Sequence, residues 1–181
     1  MLIISHQGRT TRVEHRSFDQ EADLQRYIYE NPEAIPLDEL GVEGRLHVLG
    51  REFPTSNGPV DALATDAEAN AYLIETKLFK NPDKRQVIAQ VLDYGAALWA
   101  EQPDADRLLT GLRGYAGRNG LDDPEAKLLA FLNGEEEAAQ EHLEGVATAL
   151  SEGRFTAIVL MDRLTDQLRD LIRFMNENSR F

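Results

Sequence analysis

Glu75 and Lys77 stand two residues apart in the apolar stretch Ala71 to Leu78. Side chains alternate across a strand, so an extended chain puts this carboxylate and this ammonium on one face. Asp61 lies near the start of the preceding apolar stretch, Pro59 to Thr65. Pairing of the two stretches brings Asp61 toward Glu75, and Thr76 completes the expected metal-binding set. Mg²⁺ and Mn²⁺ are hard cations that take oxygen ligands, commonly one or two carboxylates completed by water and substrate phosphate. A cation there polarises phosphate and water, while Lys77 can hold the attacking water and offset charge on a developing phosphorane. The chemistry these residue types suit is phosphodiester hydrolysis.

Three further groups can serve the same reaction. Gln90 and Tyr94 are four apart and share one side of a helix, offering an amide and a phenol to phosphate, water or base. Glu21 is an acid able to approach the cation's water shell. Lys80, Lys84 and Arg85 can meet phosphates of a nucleic acid. Each has a plainer reading: a solvated ion pair worth little for Asp61, Glu75 and Lys77, a packed helix flank for Gln90 and Tyr94, a first-turn acid favoured by the helix dipole for Glu21, and ordinary solvated charge for the basic residues. Against the first stands the apolar setting of Ala62, Leu63, Ala64, Leu73 and Ile74, where charge is costly without a purpose. His6, His15, His47 and His142 have no ligand spacing and read as structural.

The elements that must position these residues follow from periodicity. Ser17 with Gln20 resembles a capping box, and the stripe Phe18, Leu24, Tyr27 and Ile28 predicts a helix over 18–30, ended by Asn31-Pro32. Strands are expected at 46–53, 59–65 and 71–78, the second and third joined as a hairpin through the polar segment 66–70. Asn81-Pro82-Asp83 predicts a helix start, and the helix runs to about residue 100. Helices at 104–117, 124–132 and 135–151 follow, then the apolar run Phe155 to Met161, expected as a strand covered on both faces. Asp162 is expected to cap the region of a last helix over 164–176. This order indicates an α/β sandwich around a central mixed sheet in a single domain, with core 17–100 and 155–178 and a helical insertion at 102–153.

Composition narrows the function classes. With 181 residues and no Cys, the chain suits one domain and can have neither disulfides, thiolate zinc sites nor cysteine nucleophiles. No apolar run is long enough for a signal-peptide core or a membrane span, so a soluble cytoplasmic protein with no membrane partner is expected. The net charge of −13 opposes nucleic-acid binding, but its source is local: from Leu121 to Glu152 nine acids stand against Lys127 alone. Between Glu75 and Gln90 the balance is instead +2. The acidic segment reads as a solvated helix face.

The series Gly58-Pro59-Val60-Asp61, Ile74-Glu75-Thr76-Lys77 and Gln90-Val91-Leu92-Asp93-Tyr94 resembles the PD-(D/E)XK (restriction-endonuclease-like) nuclease superfamily, in its RecB-like branch with a Q-x-x-x-Y helix motif. Arg51-Glu52-Phe53 also resembles mismatch-specific nuclease-like families. Pro59 departs from the pattern, standing two before Asp61 rather than adjacent. The resemblance implies an αβββαβ core and a Mg²⁺- or Mn²⁺-dependent nuclease acting on DNA, with RNA a further substrate class. Similar families continue past the last helix into another strand, so the chain is also expected to be a fragment of a longer protein. The alternative is a nuclease-like domain without catalysis, serving as a nucleic-acid-binding or regulatory interaction module. A homodimer through an edge strand or helix face is compatible with such a core.

Overall fold

Apolar residues that alternate or run together between turn-forming segments at 56–57 and 66–70 favour a meander of three strands, and that is what forms. The computed structural model describes residues 2–6, 9–13, 18–37, 41–42, 44–80, 86–134 and 136–178. Their elements are β1 (Leu2–His6), β2 (Arg9–Val13), α1 (Glu21–Glu30), β3 (His47–Thr55), β4 (Gly58–Thr65), β5 (Ala71–Lys77), α2 (Gln86–Glu101), α3 (Ala105–Asn119), α4 (Pro124–Leu132), α5 (Glu136–Ser151), β6 (Phe155–Met161) and α6 (Asp166–Asn178). A four-stranded mixed sheet has the order β3-β4-β5-β6, antiparallel except for the parallel pair β5 and β6. Parallel neighbours need a long crossover, which α2 to α5 provide. The protein is therefore α/β. The N-terminal hairpin of β1 and β2 is a separate two-stranded sheet that the sequence reading did not anticipate.

Helices cover the two sheet faces. On one, Leu24 and Ile28 of α1 pack with Val48, Ala62, Ala64, Tyr72 and Ile74. On the other, Leu98 of α2, Leu108 and Leu112 of α3, and Leu143 and Leu150 of α5 pack with Phe53, Leu63 and Leu73. The seat of α2 depends on a glycine: a Cβ on Gly95 would come within 2.2 Å of the Phe155 ring. Asp66 organises the turn between β4 and β5, accepting from the amides of Glu68 and Asn70 and from the Tyr72 hydroxyl. Burial works against its ionised form, but these donors and the Asn70 side chain outweigh it and hold the carboxyl below its ordinary range.

Three sequence expectations need correction. The run Phe155 to Met161 is not covered on both faces: among the described residues β6 is an edge strand paired with β5 alone, and Thr156 and Ala157 are exposed. Its apolar character serves the groove it shares with α2 and α6, lined by Val91, Leu160, Ile172 and Met175. Helix α1 starts at Glu21 rather than 18, because Gln20 is extended and makes no side-chain cap, while Phe18 packs on the Tyr27 ring with centroids 5.6 Å apart. Asp162 does not cap the last helix; its Oδ1 accepts from the Phe79 amide at 2.7 Å, and Thr165 caps α6 instead. Ser17 and the predicted helix start Asn81-Pro82-Asp83 lie outside the described residues, with α2 described from Gln86. Among the described residues no helix is long and apolar enough to cross a membrane.

Candidate active site

The hairpin register places Asp61 beside Glu75. β4 and β5 pair through Leu63 with Leu73 and Ala62 with Ile74, so the next residues outward are Asp61 and Glu75. There the strands part. The Thr76 amide, beyond that pairing, donates instead to Asp61 Oδ2 at 2.7 Å, and the Thr76 hydroxyl donates to the same oxygen at 2.7 Å. Thr76, expected in the metal set, thus spends its hydroxyl on orienting Asp61.

Glu75 is 2% exposed, and among the described residues its Oε2 has no hydrogen-bond partner. Leaving such an atom unsatisfied costs about 1–3 kcal/mol, more when it is charged. Burial pushes the Glu75 carboxyl up to about 8; the charge of Asp61 adds to this and Lys77 opposes it. Lys77 Nζ lies 3.7 Å from Glu21 Oε2, and Glu21 Oε1 accepts from the Leu78 amide at 3.2 Å. Glu21, in the first turn of α1, is thereby tied to the end of β5 from the opposite layer.

Tyr94 approaches from α2. Its phenol neighbours the Gln90 side chain, and burial, followed by the nearby charge of Glu75 and Asp61, raises it above the ordinary range. A Cβ on Gly58 would come within 3.6 Å of the Tyr94 ring, and Gly58 has φ 117°, a conformation suited to glycine. The β3–β4 turn is itself fastened to α2: the Ser56 amide donates to Glu101 at 2.6 Å and Asn57 Nδ2 to the Asp93 carbonyl at 3.1 Å. Asp61, Glu75, Lys77, Glu21 and Tyr94 are thus near enough for their charges to act on one another, with Gln90 beside Tyr94. Lys80 is not tied to them by any hydrogen bond found; its ammonium donates to the Asp19 carbonyl. Lys84 and Arg85 lie outside the described residues.

The histidines stay apart from this group as far as they are described. His47 is stacked on Phe131 with centroids 5.2 Å apart, and burial, aided by Lys127, lowers it to about 4. His142 is hydrogen-bonded to Thr65 at 2.9 Å.

One further acid, Glu52, enters the sequence analysis only within the Arg51-Glu52-Phe53 resemblance and not as a site residue. Glu52 lies between Arg51, paired with Ala62, and Phe53, paired with Val60, and so stands across from Asp61. The hairpin register counted outward from Thr55 and Gly58 was the available signal.

The donor set suits a cation that needs few protein ligands. Among the described residues no three His, Asp or Glu side chains form a group able to enclose a metal ion. Two neighbouring carboxylates, one of them buried with an oxygen lacking a donor, match the way Mg²⁺ is held, with water and phosphate filling its other positions. Comparison with protein-family models, with curated proteins and with solved structures finds no match.

Proposed function

We propose that this protein is a Mg²⁺- or Mn²⁺-dependent nuclease of restriction-endonuclease-like architecture that hydrolyses DNA phosphodiester bonds at Asp61, Glu75 and Lys77. The observation that carries the reading is the buried Glu75 carboxyl oxygen beside Asp61, unpartnered among the described residues, on the strand that also bears Lys77. A strand interior does not keep an acid in that state cheaply. The element order from α1 through three antiparallel strands to α2 and the parallel β6 supports the same architecture.

Asp61 and Glu75 would hold the cation, which when bound supplies Lewis acidity toward a phosphate oxygen. Thr76 fixes the Asp61 carboxylate through two donors. Lys77 orients the attacking water and places positive charge where the phosphorane gains negative charge. Glu21, 3.7 Å from Lys77, holds that ammonium in place. Tyr94, beside Gln90, offers its hydroxyl to the phosphate or the water.

Incubating the purified protein with supercoiled, linear and single-stranded DNA, and with RNA, in Mg²⁺ or Mn²⁺ tests the reading. Cleavage that stops in EDTA and in Lys77→Ala supports it; intact substrates in every condition contradict it. The net charge of −13 favours a second reading, a nuclease-like domain that binds or regulates without turnover. Retained nucleic-acid binding with no cleavage would select that reading.

A further inference from the structure

Glu52 has φ 49°, in the left-handed region that residues other than glycine occupy at a cost. It is the residue across from Asp61. On one side of it Arg51, at the edge of the sheet, donates to Gln25 Oε1 at 3.2 Å and to the Ala22 carbonyl at 3.3 Å, its guanidinium 5.8 Å from the Tyr115 ring. On the other side the Phe53 ring sits against Gly111 of α3, where a Cβ would lie 2.8 Å from it. Gln25, buried at 7% exposure, accepts from Arg51 beside Glu52.

A set of acids is not by itself a binding site. The independent observation is Glu75, which is 2% exposed and whose Oε2 finds no donor among the described residues. Its carboxyl interacts with the charges of Asp61, Glu21 and Glu52 together, against Lys77 as the opposing cation. An atom sealed from water in that company lacks positive charge.

We propose that Glu52 is a positioning carboxylate of the cation site, reaching a divalent ion held by Asp61 and Glu75 through one of the ion's waters. This rests on the metal-dependent reading above. Contact through water agrees with the finding that no three acids among the described residues enclose an ion directly.

The experiment is calorimetric titration of the purified protein with Mn²⁺, beside thermal melting in EDTA, for wild type, Asp61→Asn, Glu52→Gln and Glu52→Gly. Glu52→Gln should weaken Mn²⁺ binding by roughly ten-fold, as loss of an outer-shell partner does. It should also raise the melting midpoint in EDTA, because a like charge beside Asp61 is removed. A residue with only a structural role would lower that midpoint. Glu52→Gly suits the left-handed backbone and so keeps the test open if the glutamine variant folds poorly; it should show the same weakening. Wild-type affinity in both Glu52 variants, or a lower midpoint in EDTA for Glu52→Gln, overturns the role of Glu52 alone. Absence of Mn²⁺ binding by the wild type overturns the metal-dependent reading and this assignment with it.

Discussion

Thr76 orients Asp61 twice over: Asp61 Oδ2 accepts both the amide and the hydroxyl of Thr76, each at 2.7 Å. The carboxylate takes the place of a strand partner where β4 and β5 separate. Strand separation and aiming of the acid are thus one structural event.

Thr76→Val keeps the β-branched shape and the amide but deletes one of the two donors. We expect a loss of about 1 kcal/mol in denaturant unfolding and a several-fold weaker Mn²⁺ affinity. Unchanged affinity would mean that the remaining amide suffices to hold Asp61.

Glu75 gives a pH signature. Its folded value of about 8 exceeds the ordinary 4.5, so the folded state binds this proton more tightly than the unfolded chain. Its contribution to stability is complete below about 4.5 and is lost as pH rises toward about 8. Melting in EDTA across that window should fall more steeply for wild type than for Glu75→Gln. Mn²⁺ competes with the proton, so its affinity should climb over the same window. Parallel melting curves for the two proteins would contradict the assignment.

Lys77→Ala should reduce cleavage by about 100- to 1000-fold, the usual cost of deleting one transition-state contact. Its partly exposed pairing with Glu21 contributes little, so unfolding should shift by under about 1 kcal/mol. A variant that cleaves normally would remove Lys77 from the chemistry.

Tyr94→Phe preserves the ring against Gly58 and loses only the hydroxyl beside Gln90. One hydrogen bond of about 1 kcal/mol corresponds to a roughly five- to ten-fold loss in kcat/KM, measurable on an oligonucleotide substrate. Gly95→Ala tests the scaffold instead: the added methyl meets the Phe155 ring and should destabilise the fold by about 1–3 kcal/mol.

The three-strand meander was legible because β3, β4 and β5 carry apolar runs broken by short turns. Once those strands are known, alternation alone unites Glu75 with Lys77, and the hairpin adds Asp61. Glu52 was not legible on that rule. Its place across from Asp61 follows from pairing of β3 with β4, and its left-handed backbone is a feature that alternation does not predict. Nor does an apolar run reveal its neighbours: Phe155 to Met161 has the composition of a central strand yet forms the edge. Asp162 failed as a cap for a related reason, since its partner, the Phe79 amide, is remote in sequence.

Crystals soaked in Mn²⁺, with diffraction recorded at the manganese absorption edge, test the central claim most directly. The account predicts an anomalous peak between the carboxylates of Asp61 and Glu75, with Glu75 Oε2 at bonding distance. Soaked crystals with no peak there, and that oxygen still without a partner, would contradict it.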